Sequence, residues 1–224
     1  MASARQSFLE SLDHADRAAL LAIGHPRRWG RGELLIRAGD RADSAVVLLE
    51  GHVKIHQAGA QGAEVVLGVS GPGDLLGEIS AVGDAKRSAN ASALDDVSAS
   101  ILSVPDLRGF LTTHGRASLA LLELALGRLH VADARRVEFA TSESLARVSS
   151  RLVELAERFG TAGEGAAIEV GLPINQEELA SWSASSKEST ARALRTLREL
   201  GVVETHRLRL TVLDLDRLRM HAGG

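Results

Sequence analysis

Cysteine and tyrosine are both missing from this chain of 224 residues. Without cysteine there can be no disulfide framework, no thiolate zinc site and no iron–sulfur cluster. Aromatic residues make up only 3% of the chain, too few for the stacking platforms that hold single-stranded nucleic acid. No long unbroken apolar run occurs, so no membrane span is expected. The stretch from Met1 to Glu10 lacks the apolar core of an export signal, and the expectation is a cytoplasmic protein. There is no surplus of positive charge either, since 26 Lys and Arg stand against 29 Asp and Glu, a formal net charge of -3. Such a chain binds DNA only if its cations are gathered on one face. No nucleophile–base constellation, H-E-x-x-H pair or metal-ligand cluster is found, and the serines from Ser183 to Ser189 read as helix caps. The chain is therefore not expected to be an enzyme.

What remains is an ordinary folding composition, 45% hydrophobic and 25% charged, long enough for two modest domains or one large one. Phe8, Leu12, Ala19, Leu20 and Ile23 have helical spacing, predicting a helix that ends at Gly24. From Trp29 to Val104 the pattern turns to short strands punctuated by glycine. Leu34–Ile36, Ala45–Leu49, Val53–His56, Glu64–Val69 and Ser98–Val104 predict a compact antiparallel barrel or roll. A short helix is predicted over Asp106–Leu111, then a long one from Ser118 to about Thr141. Leu122, Leu126 and Leu129 repeat at four and three along it, the spacing of a coiled-coil seam, and Asp133, Arg136 and Ala140 continue the stripe. Charges in that stripe suit a dimer seam better than a monomer's core. Thr141–Ser144 reads as a hinge or cap, Leu145–Phe159 as an amphipathic helix stopped at Gly160, and Thr161–Gly171 as a glycine-rich loop or hairpin. The boundaries expected are 1–112 for an α+β, β-roll effector domain with its N-terminal helix, 113–142 for a dimerisation helix and 143–224 for a winged helix.

The stretch from Asn175 to Val203 is the most informative. Asn175 is an N-cap with Glu178 as its capping-box partner, and Leu179 and Trp182 face the core. A second helix is predicted to begin at Ser185, with Glu188 as a second capping-box acid and Thr190, Ala193, Leu194 and Leu197 as its buried stripe. Its other side carries Lys187, Arg192, Arg195 and Arg198. Val202–Val212 predicts a two-stranded wing around His206-Arg207, and Asp214–Met220 a last helix. A helix-turn-helix places such a second helix in the DNA major groove, with its N-terminal residues on base edges. Arg grips guanine as a fork, and Glu accepts from the cytosine amino group. Lys187, Glu188 and Arg192 are the candidate base readers, flanked by Ser186 and Ser189. Arg195 and Arg198 are suited either to phosphates or to a solvated face, and Glu188 to a cap, a base contact or both.

E-E-L-A followed by S-K-E-S-T-A-R-A-L-R-T-L-R-E-L-G-V-V resembles the winged-helix domain of the cyclic-AMP receptor protein / fumarate–nitrate reductase regulator (Crp/Fnr) family. In that family the residues matching Lys187, Glu188 and Arg192 contact bases. Two departures stand out. The family usually has Arg at Lys187, and Lys cannot make the rigid fork. It usually has Gly at Ala184, so a turn that requires positive φ would be strained here. The same resemblance picks out Gly73-Asp74-Leu75-Leu76-Gly77-Glu78-Ile79-Ser80, then Arg87-Ser88-Ala89, as a phosphate-binding cassette. Chemically, amides after Gly77 can hold an anion, Arg87 offers a fork, Ser88 a hydroxyl, and Glu78 an acceptor for a ribose hydroxyl. A turn with an Arg–Glu ion pair and no ligand is the competing reading. It is no Walker A loop, lacking G-K-[ST].

Arg128 matches a family Arg near the pocket acid. Ala132 and Asp133 replace the Thr-Ser pair that meets adenine in cyclic-AMP-binding members. An ionised carboxylate only accepts hydrogen bonds and so suits the two donors of guanine. The implied effector is cyclic GMP or cyclic AMP, the former favoured by Asp133. Alternatively, Asp133 pairs with Arg136 of the partner subunit. Haem is not expected, because no His lies between His56 and His114, and His130 reads as structural or solvent-facing. The partners implied are a second copy of the chain, a palindromic double-stranded DNA operator and RNA polymerase.

Overall fold

The computed structural model describes residues 6–59, 62–83, 85–206 and 209–223. The chain divides into two compact units, Met1–Gly62 with Leu67–Asp133, and Ala63–Val66 with Ala134–Gly224.

The first unit opens with two helices, α1 (Phe8–Ser11) and α2 (His14–Ala22), where the apolar spacing predicts one. The break is set by Asp13. Its backbone is extended and its carboxylate accepts the Asp16 amide at 2.9 Å, which caps a new helix. The strands are β1 (His25–Trp29), β2 (Leu34–Ile36), β3 (Ser44–Glu50), β4 (Val53–Ala58), β5 (Glu64–Ser70) and β6 (Leu75–Leu76). Then come α3 (Glu78–Gly83), β7 (Asn90–Ala93), β8 (Val97–Ser103), α4 (Val104–Thr113) and the 27-residue α5 (Gly115–Thr141). Two four-stranded sheets result, in the orders β1-β8-β3-β6 and β2-β7-β4-β5. The described pairings within them are antiparallel, so the expected roll is present. The pattern does not predict β1 (its Trp29 aside), β6 or β7.

Strand alternation assigns the two cores. On β3, Val46 and Leu48 turn inward with Trp29, Val53, Leu76 and Val97. Ala45 and Val47 turn outward, where Phe8, Leu20, Leu107, Phe110 and Ala117 cover them. Ala117 and Ala120 are thus the side of α5 that the unit buries. Leu119, Leu122, Leu126 and Leu129 point elsewhere and remain 61%, 55%, 47% and 54% exposed.

The second unit contains the end of α5, α6 (Ser144–Phe159), β9 (Gly160–Ala162), β10 (Ile168–Val170), α7 (Gln176–Trp182), α8 (Lys187–Glu199), β11 (Val203–His206), β12 (Arg209–Val212) and α9 (Leu215–His221). Its sheet has the order β11-β12-β10-β9. The expected two-stranded wing is therefore half of a four-stranded sheet, because β10 pairs with β12 as well as with β9. Arg207, at the expected wing turn, lies outside the described residues. Val148, Leu152, Leu155 and Ala156 form the buried face of α6.

The chain does break between α5 and α6, where Glu143 is extended. Ion pairs cross the break. Arg135 reaches Glu154 at 2.8 Å and Arg151 reaches Glu138 at 2.7 Å. Both guanidinium groups lie over Trp182, 5.7 and 6.0 Å from its ring. Burial pushes the Arg151 pKa down, and its neighbour Arg135 adds to that, while Glu154 and Glu138 oppose them. Among the described residues no helix is long and apolar enough to cross a membrane.

Candidate nucleic-acid interface and effector pocket

The helix-turn-helix is built locally. Asn175 accepts the Glu178 amide at 2.9 Å while Glu178 accepts the Asn175 amide at 2.9 Å, closing the capping box. Leu179 and Trp182 are buried. The second helix starts one residue later than its sequence suggests. Ser186, not Ser185, is the N-cap, and its hydroxyl accepts the Ser189 amide at 3.1 Å. Glu188 is consequently not a capping-box acid. Its carboxyl is still held below the usual carboxylate range, first by its own backbone N–H and then by the Ser186 hydroxyl. Thr190, Ala193, Leu194 and Leu197 are the buried stripe.

Opposite that stripe Ser186, Lys187, Glu188, Arg192, Arg195 and Arg198 are exposed and Ser189 is half-buried. Lys187 is ion-paired with Glu177 of α7. Arg192 donates to the Ser189 hydroxyl at 3.2 Å and Arg198 to Thr205 of β11 at 3.1 Å. The N-terminal end of α8 is thus a polar, cation-bearing surface on a rigidly seated rod, the arrangement that reads a major groove. The turn before it has φ of 47° at Ala184, the one non-glycine residue with positive φ among those described. This is the strain expected from Ala where the family carries Gly.

In the first unit the cassette surrounds Gly77, whose φ is +76° and whose missing Cβ leaves room for Arg87; a Cβ there would lie 2.3 Å from Arg87 Nη1. Arg87 is buried, donating to Gly77 O at 2.9 Å and Ser44 O at 2.5 Å. Its ion-pair partner is Asp43, 3.5 Å away, whose side chain is 86% exposed. Glu78 is 2% exposed and paired with Arg128, which also donates to Leu75 O at 2.8 Å. Gly77, Glu78, Arg87 and Arg128 therefore converge. The Ser80 hydroxyl is buried and donates to Lys86 O at 3.1 Å, whereas Ile79, Ser88 and Asp133 are exposed. The ion pair within this cassette is Glu78 with Arg128, not Glu78 with Arg87.

One further residue of the second unit supports the helix-turn-helix, and no motif in the sequence marks it. Arg147 of α6 donates to Ser183 O at 2.8 Å and Ala184 O at 3.1 Å, across the helix-turn-helix turn. Only the unusual Ala184 hinted that the turn would need outside support.

A roll with a glycine–acid–arginine cassette, followed by a winged helix-turn-helix, is the architecture of DNA-binding regulators that carry a sensor domain. Comparison with known proteins agrees with this class. The model of the cyclic nucleotide-binding domain matches residues 26–114, and that of the Crp-like helix-turn-helix domain matches residues 146–220. The chain belongs to the Crp/Fnr family of transcription regulators. It is 27% identical over 219 residues to the CRP-like cAMP-activated global transcriptional regulator of Mycobacterium tuberculosis, covering 98% of this chain and 97% of that one. It is 28% identical over 177 residues to the cyclic AMP receptor protein of Thermus thermophilus, covering 79% and 78%. FixK2 from Bradyrhizobium japonicum, at 18% identity, shares the fold with a TM-score of 0.77 over 88% of this chain and 96% of its own.

Proposed function

We propose that this regulator works as a homodimer that reads a palindromic DNA operator under the control of a cyclic nucleotide held by Gly77, Glu78, Arg87 and Ser88, with Ile79, Ser80, Arg128 and Asp133 around it. The carrying observation is Arg87. A buried cation is costly unless a charge partner is close. Its ion pair is with exposed Asp43 at 3.5 Å, so a ligand phosphate is a better partner than the one it has. The Leu119–Leu129 face supports the seam, since four leucines in one row are left in solvent by a single copy. Lys187, Glu188 and Arg192 are the base readers, with Ser186, Ser189, Arg195 and Arg198 contacting the backbone. RNA polymerase is the partner through which such a regulator acts, and the cytoplasm is where it would do so.

Asp133 favours a guanine base over adenine. The M. tuberculosis relative is cAMP-activated by name, which makes cyclic AMP the competing ligand. A second reading, a regulator of the same fold that binds DNA without a nucleotide, is favoured by Glu78 and Arg128 already satisfying each other. Titration calorimetry with cyclic AMP and cyclic GMP separates the readings. Binding of cyclic GMP ahead of cyclic AMP is expected. The reverse order removes Asp133 from the ligand, and no binding of either favours the ligand-free regulator. A ligand at a hundred times its Kd adds about 2.7 kcal/mol of stability.

A further inference from the structure

We propose that Arg147 is a positioning residue for DNA readout, a single guanidinium that fixes the helix-turn-helix turn against the joint between α5 and α6. The inference rests on α8 being the DNA-reading helix. Arg147 sits in the first turn of α6 and is half-buried. Its Nε donates to Ser183 O at 2.8 Å, and its Nη2 to Ala184 O at 3.1 Å and Ser185 Oγ at 3.3 Å. Those are three consecutive residues. Ser183 is the C-cap of α7, Ala184 holds the left-handed conformation, and Ser185 leads into the N-cap of α8. On its other side Arg147 donates to Ser142 O and to Ser144 Oγ at 3.4 Å, which flank the α5–α6 break.

The division of labour in α8 makes this consequential. Thr190, Ala193, Leu194 and Leu197 fix the rotation and depth of the helix. Only Thr190, at the end of the first turn, anchors the turn in which exposed Lys187 and Glu188 stand. The tilt of that first turn is set by the preceding turn, and Ala184 is a poor residue for holding it, because its conformation is disfavoured for an L side chain. A planar fork with five donors supplies the missing constraint. Lys, with its compact ammonium, cannot bridge the same acceptors. Carbonyls at the end of α7 carry partial negative charge and are suited to a cation.

Arg147 shares an open groove with Ser189, Arg192 and Thr196 of α8, so a direct phosphate contact is the alternative to be distinguished. Full-length Arg147→Lys and Arg147→Gln are compared with wild type, on duplexes that the wild-type chain selects from a randomised pool and on a scrambled duplex. Circular dichroism melts establish that each variant is folded at the assay temperature, and Arg147→Lys keeps the charge and stem should Arg147→Gln not fold. The expected result is a loss of roughly tenfold on the selected duplex, the order of a charge-assisted hydrogen bond. Binding to the scrambled duplex and the slope of log K against log salt should stay unchanged. A purely structural role would not move specificity in a folded variant. A salt slope reduced by about 1, with equal losses on both duplexes, marks a phosphate contact and overturns the proposal. Unchanged selected-duplex affinity in both folded variants overturns it too. A wild-type chain that selects no duplex overturns the DNA-reading role of α8, and the proposal with it.

Discussion

Ala184→Gly should make the protein more stable, an unusual expectation for removing a methyl group. Ala184 has φ of 47° and is exposed, so its methyl group buries nothing in return. The left-handed conformation costs an L residue about 1–2 kcal/mol through the approach of Cβ to the following carbonyl oxygen. Glycine escapes that cost but gains freedom in the unfolded chain, which offsets about 0.4–1 kcal/mol. The balance favours the variant by about 0.5–1 kcal/mol. For a unit of roughly 90 residues each kcal/mol moves Tm by about 4–8 °C, so the gain should be about 2–8 °C. Calorimetry of the full-length pair reads this directly. Urea unfolding should show a higher midpoint with an unchanged slope if the effect is on stability alone. An equal or lower Tm for the glycine variant would refute the reasoning, showing that Arg147 and the turn hold Ala184 without net strain.

Three further outcomes follow from the sites. Arg192→Ala should relax the preference at one base pair and cost roughly 1–3 kcal/mol there; an equal loss on every sequence in a binding-site survey would make Arg192 a phosphate contact. Leu122→Glu with Leu126→Glu should convert the proposed dimer to monomer in sedimentation equilibrium, because the change sets like charges face to face along the stripe. An undisturbed dimer would move the interface elsewhere. Gly77→Ala should destabilise the chain by about 1–3 kcal/mol, the usual range for overpacking, and abolish nucleotide binding in calorimetry. The cause is a Cβ 2.3 Å from Arg87 Nη1 on a backbone at φ +76°. Retained affinity would take Arg87 out of the ligand site.

The features legible in the sequence were those fixed by neighbours a few residues apart. The Asn175–Glu178 box and the Thr190–Leu197 stripe need only helical spacing, and the strands from Ala45 to Val69 and at Ser98 need only alternation between glycines. Apolar spacing alone places Asp13 inside a helix, whereas its carboxylate caps a new one. β7, Asn90-Ala91-Ser92-Ala93, is a strand because Val53–His56 pairs with it, and its small side chains give no β signal. Ser185 and Ser186 are both cap-forming residue types, but the Ser185 hydroxyl donates to Ser183 O and the Ser186 hydroxyl accepts the Ser189 amide. The joining of the wing to β9–β10 and the reach of Arg147 to Ser183 depend on contacts between distant segments, which no local pattern encodes. In the pocket, Glu78, Arg87 and Arg128 could be named from spacing and resemblance. The resemblance also places Arg128 near the acid, and the two are paired, while Arg87 turns to the carbonyls of Gly77 and Ser44.

The most direct test of the account is selection of duplexes by the purified wild-type chain, with the half-site spacing read from the enriched pool. Two α8 helices held by one leucine seam should enrich an inverted repeat whose half-sites lie one helical turn apart, about 34 Å. A lone half-site, or repeats with no fixed spacing, would contradict it.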